Sequence, residues 1–435
     1  MRKILSVVLV LMMVLSTVCF VSADTVTITT LHSAGGNESH IEYWRNQVAQ
    51  FSEYTEGKYV VETEEIPGVA VDVRTKLKML NAANNLPTLV SDLGAEPAFR
   101  DLLISNNRLV DLKPYFDASP EWQSTAFPAS VAYNTDEEGH MYTAPATSTD
   151  YVGIYYNKEM LSAVGYDEFP TTWDDFWACC EALKANGIAP IALHTTETGW
   201  CPMLMATAYV ATLGEDAGAF LRMNFPSDFN NEYMIAMAEC LQKLFQYTTS
   251  DAIGGTYSLA SNNFCASKAA MIANGPWMAA SFYDTQYAPE GFAEKVGYAP
   301  FPGGIMLTDE GESYGYGVSA DSTEEQIEAA VEFIKFQAIP EQIIAGSLEF
   351  GSFSHLVPMG EEDISKLSPI LQSAAEAVTK CTGTAPRYQG KWDSVVQTEV
   401  IEQELPNLAM NLITPEEFVN KMTEGAQRYL TETQS

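Results

Sequence analysis

The sequence predicts an α/β fold divided into two units, and three observations carry the prediction. At 435 residues the chain exceeds what one hydrophobic core usually organises. Its composition, 46% hydrophobic and 18% charged, is that of a folded globular protein rather than a disordered one. Strand-like and helix-like patterns alternate along two separate stretches, and extended segments of small residues connect them.

The first 23 residues read as a targeting segment rather than as structure. Met1-Arg2-Lys3 is a basic start, Ile4 to Val18 an apolar run, and Val21-Ser22-Ala23 a small-residue cleavage site before Asp24. The run is short for a spanning helix and a polar strand-like segment follows it. Cys19 raises lipid attachment, but Val18 stands where such processing wants a small residue. Cleavage after Ala23 and export as a soluble protein are expected, and no later stretch reads as a membrane span.

Thr25 to Leu31 alternates polar and apolar residues, as a strand does. The polar, Gly-containing loop His32-Ser33-Ala34-Gly35-Gly36-Asn37 leads to a helix with Ile41, Trp44, Val48 and Phe51 on one face. Tyr59 to Ile66 reads as a strand, Val69 to Asn84 as a helix, and Pro87 to Gly94 as a strand that ends at Asp92. A helix near Pro97 to Ser105 follows. This β-α-β-α-β rhythm predicts a parallel sheet with helices on both faces. The loop after the first strand is either a ligand-binding turn or a plain connection.

Met141 to Pro145, Ala146-Thr147-Ser148-Thr149-Asp150 and Tyr151 to Asn157 read as two extended segments joined by small polar residues, a crossing between units. Thr172 is placed to cap the helix opened by Trp173, with Asp174 and Asp175 favourable in its first turn. Ile188 to Leu193 reads as a strand, with Trp200 in the loop after it and an apolar helix from Met203 to Leu213. An amphipathic helix over Asn231 to Tyr247 comes next. Ala269 to Ala273 is a short apolar strand that Asn274-Gly275-Pro276 must break, because Gly permits positive φ and Pro cannot donate to a ladder. Trp277 is thereby delivered just beyond a strand end, where α/β proteins place ligand groups. On this stretch alone it is equally a half-buried core residue.

Val296 to Gly303 is a second extended, Pro/Gly-rich crossing, and Ser313 to Val318 a Tyr-rich strand. Thr323 to Ala338 is a helix, and the tail is helical, with Thr414 as cap and Pro415 at the first helical position of the last helix. The six cysteines beyond the targeting segment (Cys179, Cys180, Cys201, Cys240, Cys265, Cys381) follow no disulfide framework and read as buried thiols. Five scattered histidines and no C-x-x-C predict no zinc site; no metal or cofactor is expected. A net charge of −34, from 23 basic and 57 acidic residues, argues against nucleic acid as a partner.

Five stretches in order resemble the extracellular solute-binding proteins of carbohydrate ABC importers, the family 1 group that includes maltodextrin-binding proteins. They are Asn81-Ala-Ala-Asn-Asn-Leu-Pro87; Tyr142-Thr-Ala-Pro145 leading to Ile154-Tyr-Tyr-Asn-Lys158; Pro170-Thr-Thr-Trp-Asp-Asp-Phe176; Phe264-x-x-Ser-Lys-Ala-Ala-Met271 with Asn274-Gly-Pro-Trp277; and Val296-Gly-x-x-Pro-x-Pro-Gly303. Thr88 departs from the family's usual Asp, and Ser267 from its usual Gly.

The resemblance implies a two-lobed periplasmic-binding-protein-like fold, each lobe a mainly parallel sheet flanked by helices, with a cleft between. It implies an N-terminal lobe of 24–146 plus about 300–345 and a C-terminal lobe of 147–299 plus about 346–435. On the cleft it places His32, Ser33 and Asn37, then Asp92, then Ser148, Thr149 and Tyr151, then Trp200 and Trp277. Tyr314, Tyr316 and Arg387 complete the candidates. A pyranose has apolar C–H faces and polar edges, so its site needs aromatic planes and a rim of carboxylate, amide and hydroxyl groups; these residues supply both. The implied role is capture of a mono- or oligosaccharide by a monomer, outside the membrane or in a periplasm, for delivery to an ABC permease. No G-x-x-x-x-G-K-[ST] occurs, so the ATPase lies on another chain.

The alternative is an exported carbohydrate-active hydrolase using a carboxylate pair, although no spacing singles a pair out. Gly311-Glu-Ser-Tyr-Gly315 matches G-x-S-x-G, but that motif needs a helix after its Ser, and here a strand pattern continues. No catalytic residue is expected.

Overall fold

Two separate apolar cores organise the chain in a computed structural model that describes residues 25–35, 40–68, 70–93, 97–309 and 315–433. The targeting segment, Asn37, Tyr314 and most of the G-x-S-x-G match lie outside these residues. The first core gathers residues between 26 and 144, then residues between 316 and 339. The second gathers residues between 151 and 307, then residues between 348 and 426. Each core therefore closes only when the chain returns to it, which requires repeated crossings between the lobes.

In the first lobe β1 (Val26–Ser33) pairs in parallel with β2 (Tyr59–Ile66). The helix Ile41–Tyr54 buries Trp44 and Phe51 against them, as its apolar spacing predicts. β3 is only Leu89–Val90, shorter than the expected Pro87–Gly94 strand. Part of its edge is stitched by side chains instead: Thr29 N–H donates to Thr88 Oγ1 (3.2 Å), and Thr88 N–H to Thr29 Oγ1 (3.1 Å). Asp92 then leaves extended geometry at φ 62°. The Tyr-rich strand is β9, Gly317–Val318, antiparallel to β3.

The second lobe holds β4 (Gly153–Asn157), β5 (Ala189–Ile191), β6 (Ala269–Asn274) and β7 (Val296–Ala299) in the order β5-β6-β4-β7. β5 and β6 are parallel, but β4 runs antiparallel to both β6 and β7. The sheets are thus more mixed than the expected mainly parallel arrangement. β4 carries the chain into this lobe from the first crossing and runs against both neighbours, while β7 leads on to a further strand still in the second core. β8 (Ile305–Thr308) pairs in parallel with β10 (Gly383–Pro386), and Met306 and Leu307 lie in the second core. The chain rejoins the first core at Tyr316, later than a crossing near residue 300 would place it.

The ends of the first crossing are bonded to the ends of the other two. Ala144 N–H donates to Tyr316 O (3.0 Å), Val152 and Leu307 exchange two backbone bonds (2.8 and 3.0 Å), and Thr149 and Phe353 exchange two more at 3.0 Å. Local sequence rules hold at the helix ends. Thr172 Oγ1 accepts from Asp175 N, Thr323 forms a capping box with Gln326, and Thr414 and Glu417 cap each other reciprocally. Cys179, Cys180, Cys201, Cys240 and Cys265 are buried and Cys381 half-buried, as free thiols.

Candidate ligand-binding site

β6 is buried along its whole length and stops at Asn274, as Gly275-Pro276 dictates. A 3-10 turn over Pro276–Phe282 follows, and its second residue, Trp277, is half-buried. Trp200 faces it: the ring centroids are 5.9 Å apart and the planes inclined by 50°. The Arg387 guanidinium sits 5.6 Å from the centre of the Trp277 ring, within cation–π range. Arg387 is itself paired with Asp309 through both Nε and Nη2, and both side chains are buried.

Trp200 is not in a loop. It is the first residue of the helix Trp200–Val210, which starts three residues before the expected Met203. Two features outside the helix's own pattern set that start. Glu197, Thr198 and Gly199 all have positive φ (55°, 61° and 59°), a run that turns the chain sharply. His194, fully buried, then accepts the Cys201 N–H on Nε2 (3.3 Å). A backbone N–H can only donate, so His194 Nδ1 carries the proton and donates it to Thr196 O (2.9 Å). Burial holds the His194 pKa down at about 4.

On the first lobe, His32 stacks on Trp44 with centroids 5.0 Å apart, and its Nδ1 lies 2.8 Å from Ser33 O. Burial lowers the His32 pKa. Asp92 is paired with Arg74 at 2.9 Å. Tyr316 packs on Trp44 and Phe333; burial, with the Asp92 charge adding to it, raises its pKa.

The crossings meet beside the first core. Ser148, Thr149, Asp150, Asp309, Tyr316 and Ser352 line a pocket of about 280 Å³, backed by Trp122, Ile334 and Ala338. Thr149 Oγ1 is buried there with no hydrogen-bond partner among the described residues. Ser352 Oγ donates to Asp150, whose pKa burial raises against the opposing pull of Arg387. Tyr151 contributes its carbonyl to Tyr298 Oη (2.7 Å) and keeps a half-buried ring. The predicted residues thus form three groups: His32, Ser33, Asp92 and Tyr316 on one lobe, Ser148 and Thr149 at the crossings, and Tyr151, Trp200, Trp277 and Arg387 on the other.

Residues 37–343 match the family model of the bacterial extracellular solute-binding proteins. The chain belongs to that family. Relatives of this solute-binding protein include a probable sugar-binding periplasmic protein of Rhizobium meliloti, 25% identical over 66% of this chain and 67% of the relative. One of the same description from Brucella suis is 29% identical over 49% of each chain. Among solved structures, a chitin oligosaccharide binding protein superposes with a TM-score of 0.72 at 21% identity, covering 93% of this chain and 99% of the other. Maltose-bound MalE3 of T. maritima gives 0.68 at 20% identity, with 93% and 99% covered. These superpositions show the two-lobed periplasmic-binding-protein-like fold. Among the described residues no helix is long and apolar enough to cross a membrane.

Sequence reasoning missed several residues of this candidate site. Arg74 and Asp309 enter as ion-pair partners of Asp92 and Arg387, at separations of 18 and 78 residues that no local pattern reveals. Trp44 was legible only as an apolar position on a helix; its Nε1–H donates to Thr63 Oγ1 (2.9 Å) and its face carries His32. His194 gave no signal beyond being a histidine after an apolar strand.

Proposed function

We propose that this solute-binding protein captures a neutral saccharide between its lobes and delivers it to an ABC permease, without chemical turnover. One observation carries the reading: Trp200 and Trp277 present two half-buried rings 5.9 Å apart at the ends of buried elements. Aromatic planes stack on the C–H faces of a pyranose. Asp92, His32, Ser33, Ser148, Thr149, Tyr151, Tyr316 and Arg387 supply the hydroxyl, carboxylate and nitrogen groups that bond its edges. Arg74 and Arg387 are each matched by a carboxylate, so an anionic sugar meets cations already neutralised. The names of the relatives point the same way.

The lobes divide the chain at three crossings: 24–146 with about 316–345 forms the first lobe, and 147–308 with about 346–435 the second, the return falling later than residue 300 because Met306 and Leu307 pack in the second core. The protein works as a monomer outside the cytoplasmic membrane, in a periplasm or at the outer face. Permease recognition of the closed form follows from lobes that ligand draws together.

Thermal melting against glucose, maltose, maltotriose, cellotriose, chitotriose, laminaritriose and raffinose tests the reading. A saccharide at 100 times its dissociation constant stabilises the folded state by about 2.7 kcal/mol. The same mixtures, analysed for products, must contain the sugars intact. Reducing ends that appear in proportion to protein concentration refute the binding reading in favour of hydrolysis.

A further inference from the structure

We infer that Trp200 and Trp277 act as one inclined receptor, fixed at its angle by a shared brace through Tyr257 and Tyr388, and that it selects an oligosaccharide whose neighbouring rings are inclined to each other. The inference rests on the saccharide-binding reading above.

The two tryptophans stand on different elements, 77 residues apart in sequence (277 − 200), yet two polar bridges tie their supports together. The first runs through Tyr257. Its backbone N–H donates to Glu197 Oε2 (2.7 Å), in the positive-φ run that leads into Trp200. Its hydroxyl accepts from Asn274 Nδ2 (2.6 Å), and Asn274 in turn accepts the Gly275 N–H (2.8 Å) at the turn that leads into Trp277. The second bridge runs through consecutive residues. Arg387 lies over the Trp277 ring, while Tyr388 Oη lies 3.0 Å from Thr198 Oγ1 and donates to Thr198 O (3.2 Å). Tyr388 is almost completely buried, so its ring is a rigid strut.

A link at each end makes the 50° between the indole planes a built property rather than the resting place of two independent side chains. Backbone strain at two successive non-glycine residues, Glu197 and Thr198, points the same way, because such strain persists only where surrounding contacts impose it. Two stacked sugar rings must copy the angle of the surfaces beneath them. Successive rings of a β-1,4 chain form a flat ribbon with nearly parallel faces, whereas α-1,4 and β-1,3 chains turn from ring to ring. The corner fits the turning class. Tyr257 and Tyr388 are positioning residues: they act on the sugar through the two tryptophans.

Calorimetry on the full chain with maltotriose and laminaritriose against cellotriose and chitotriose tests this, beside the ultraviolet circular dichroism of the coupled indole pair. At least one turning trisaccharide is expected to bind about tenfold or more tighter than both ribbon sugars, the scale of one stacking interaction. Tyr257→Phe removes only the hydroxyl end of the first bridge, and Tyr388→Phe only the hydroxyl end of the second. Each is expected to reduce that preference to about threefold or less and to change the indole-pair signal, with the protein still folded. A ribbon sugar bound as tightly as the turning ones overturns the inference while leaving the saccharide reading standing. So does a wild-type preference and indole signal in both variants. Absence of binding to any saccharide overturns both.

Discussion

Gly275 leaves the space that the Trp277 ring occupies. A Cβ built on Gly275 would lie 2.1 Å from Cζ3 of that ring, far inside van der Waals contact. The Gly275 backbone is in an ordinary extended region (φ −92°), so the glycine is required by the indole and not by the chain's path. Gly275→Ala is therefore expected to push the ring from its seat with no backbone strain. Saccharide affinity should fall about tenfold or more, the worth of one stacked ring, while the ligand-free melting temperature moves little. Unchanged calorimetric affinity would show that the ring's place does not matter.

Trp277→Ala removes the platform itself. Base–aromatic stacking in nucleic-acid sites is worth ~1–3 kcal/mol per ring, and the same scale applied to a sugar face predicts about a fivefold to 150-fold loss of affinity. A core tryptophan would instead cost ~3–5 kcal/mol of stability through reduced burial and a cavity. Calorimetry and melting of the ligand-free variant separate the two. A large drop in melting with normal affinity while folded would return Trp277 to the core.

Gly199 is required for the opposite reason. Its φ is +59°, and a Cβ there would meet Leu405 Cδ2 at 2.2 Å in a buried position. Gly199→Ala adds left-handed strain to overpacking, so a loss of about 2–4 kcal/mol in denaturant unfolding is expected. A loss below about 0.5 kcal/mol, the range of neutral surface changes, would mean that the positive-φ run is not imposed.

His194 gives the stability a defined pH dependence. Its folded pKa is depressed to about 4 from an unfolded value near 6.5. Above pH 6.5 the imidazole is neutral in both states and its cap is intact. As pH falls through the window, the unfolded chain binds a proton that the folded chain refuses, so stability is lost between about pH 6.5 and 4. The loss amounts to about 2 kcal/mol between pH 7 and 5. His194→Asn should start less stable at pH 7 and decline less over the same interval. Parallel decline in both proteins, followed by chemical denaturation, would remove His194 as the cause.

Local physics made part of this legible in the sequence. Thr172 and Thr414 cap helices because a cap needs only a side chain and an N–H three residues on. The end of β6 was fixed by Asn274-Gly275-Pro276, and that fixed where Trp277 emerges. What depends on distant partners stayed hidden. The start of the Trp200 helix is set by His194, and the direction of β4 by the lobe from which it arrives. Arg387 could be named, but not Asp309, which neutralises it. The site's members were readable as types at chain positions, and their relationships only from the fold.

The bonding of the first crossing's ends to the ends of the other two has a mechanical consequence. Three unconnected strands would each bend alone, and the lobes could splay, slide or twist at almost equal cost. Laced together at Tyr316, Leu307 and Phe353, the strands behave as a laminated spring. Bending in the common plane strains each lamina slightly, whereas shear between laminae must break backbone hydrogen bonds. The lacing leaves the lobes essentially one soft direction, so a ligand seated between them works against a guided stroke.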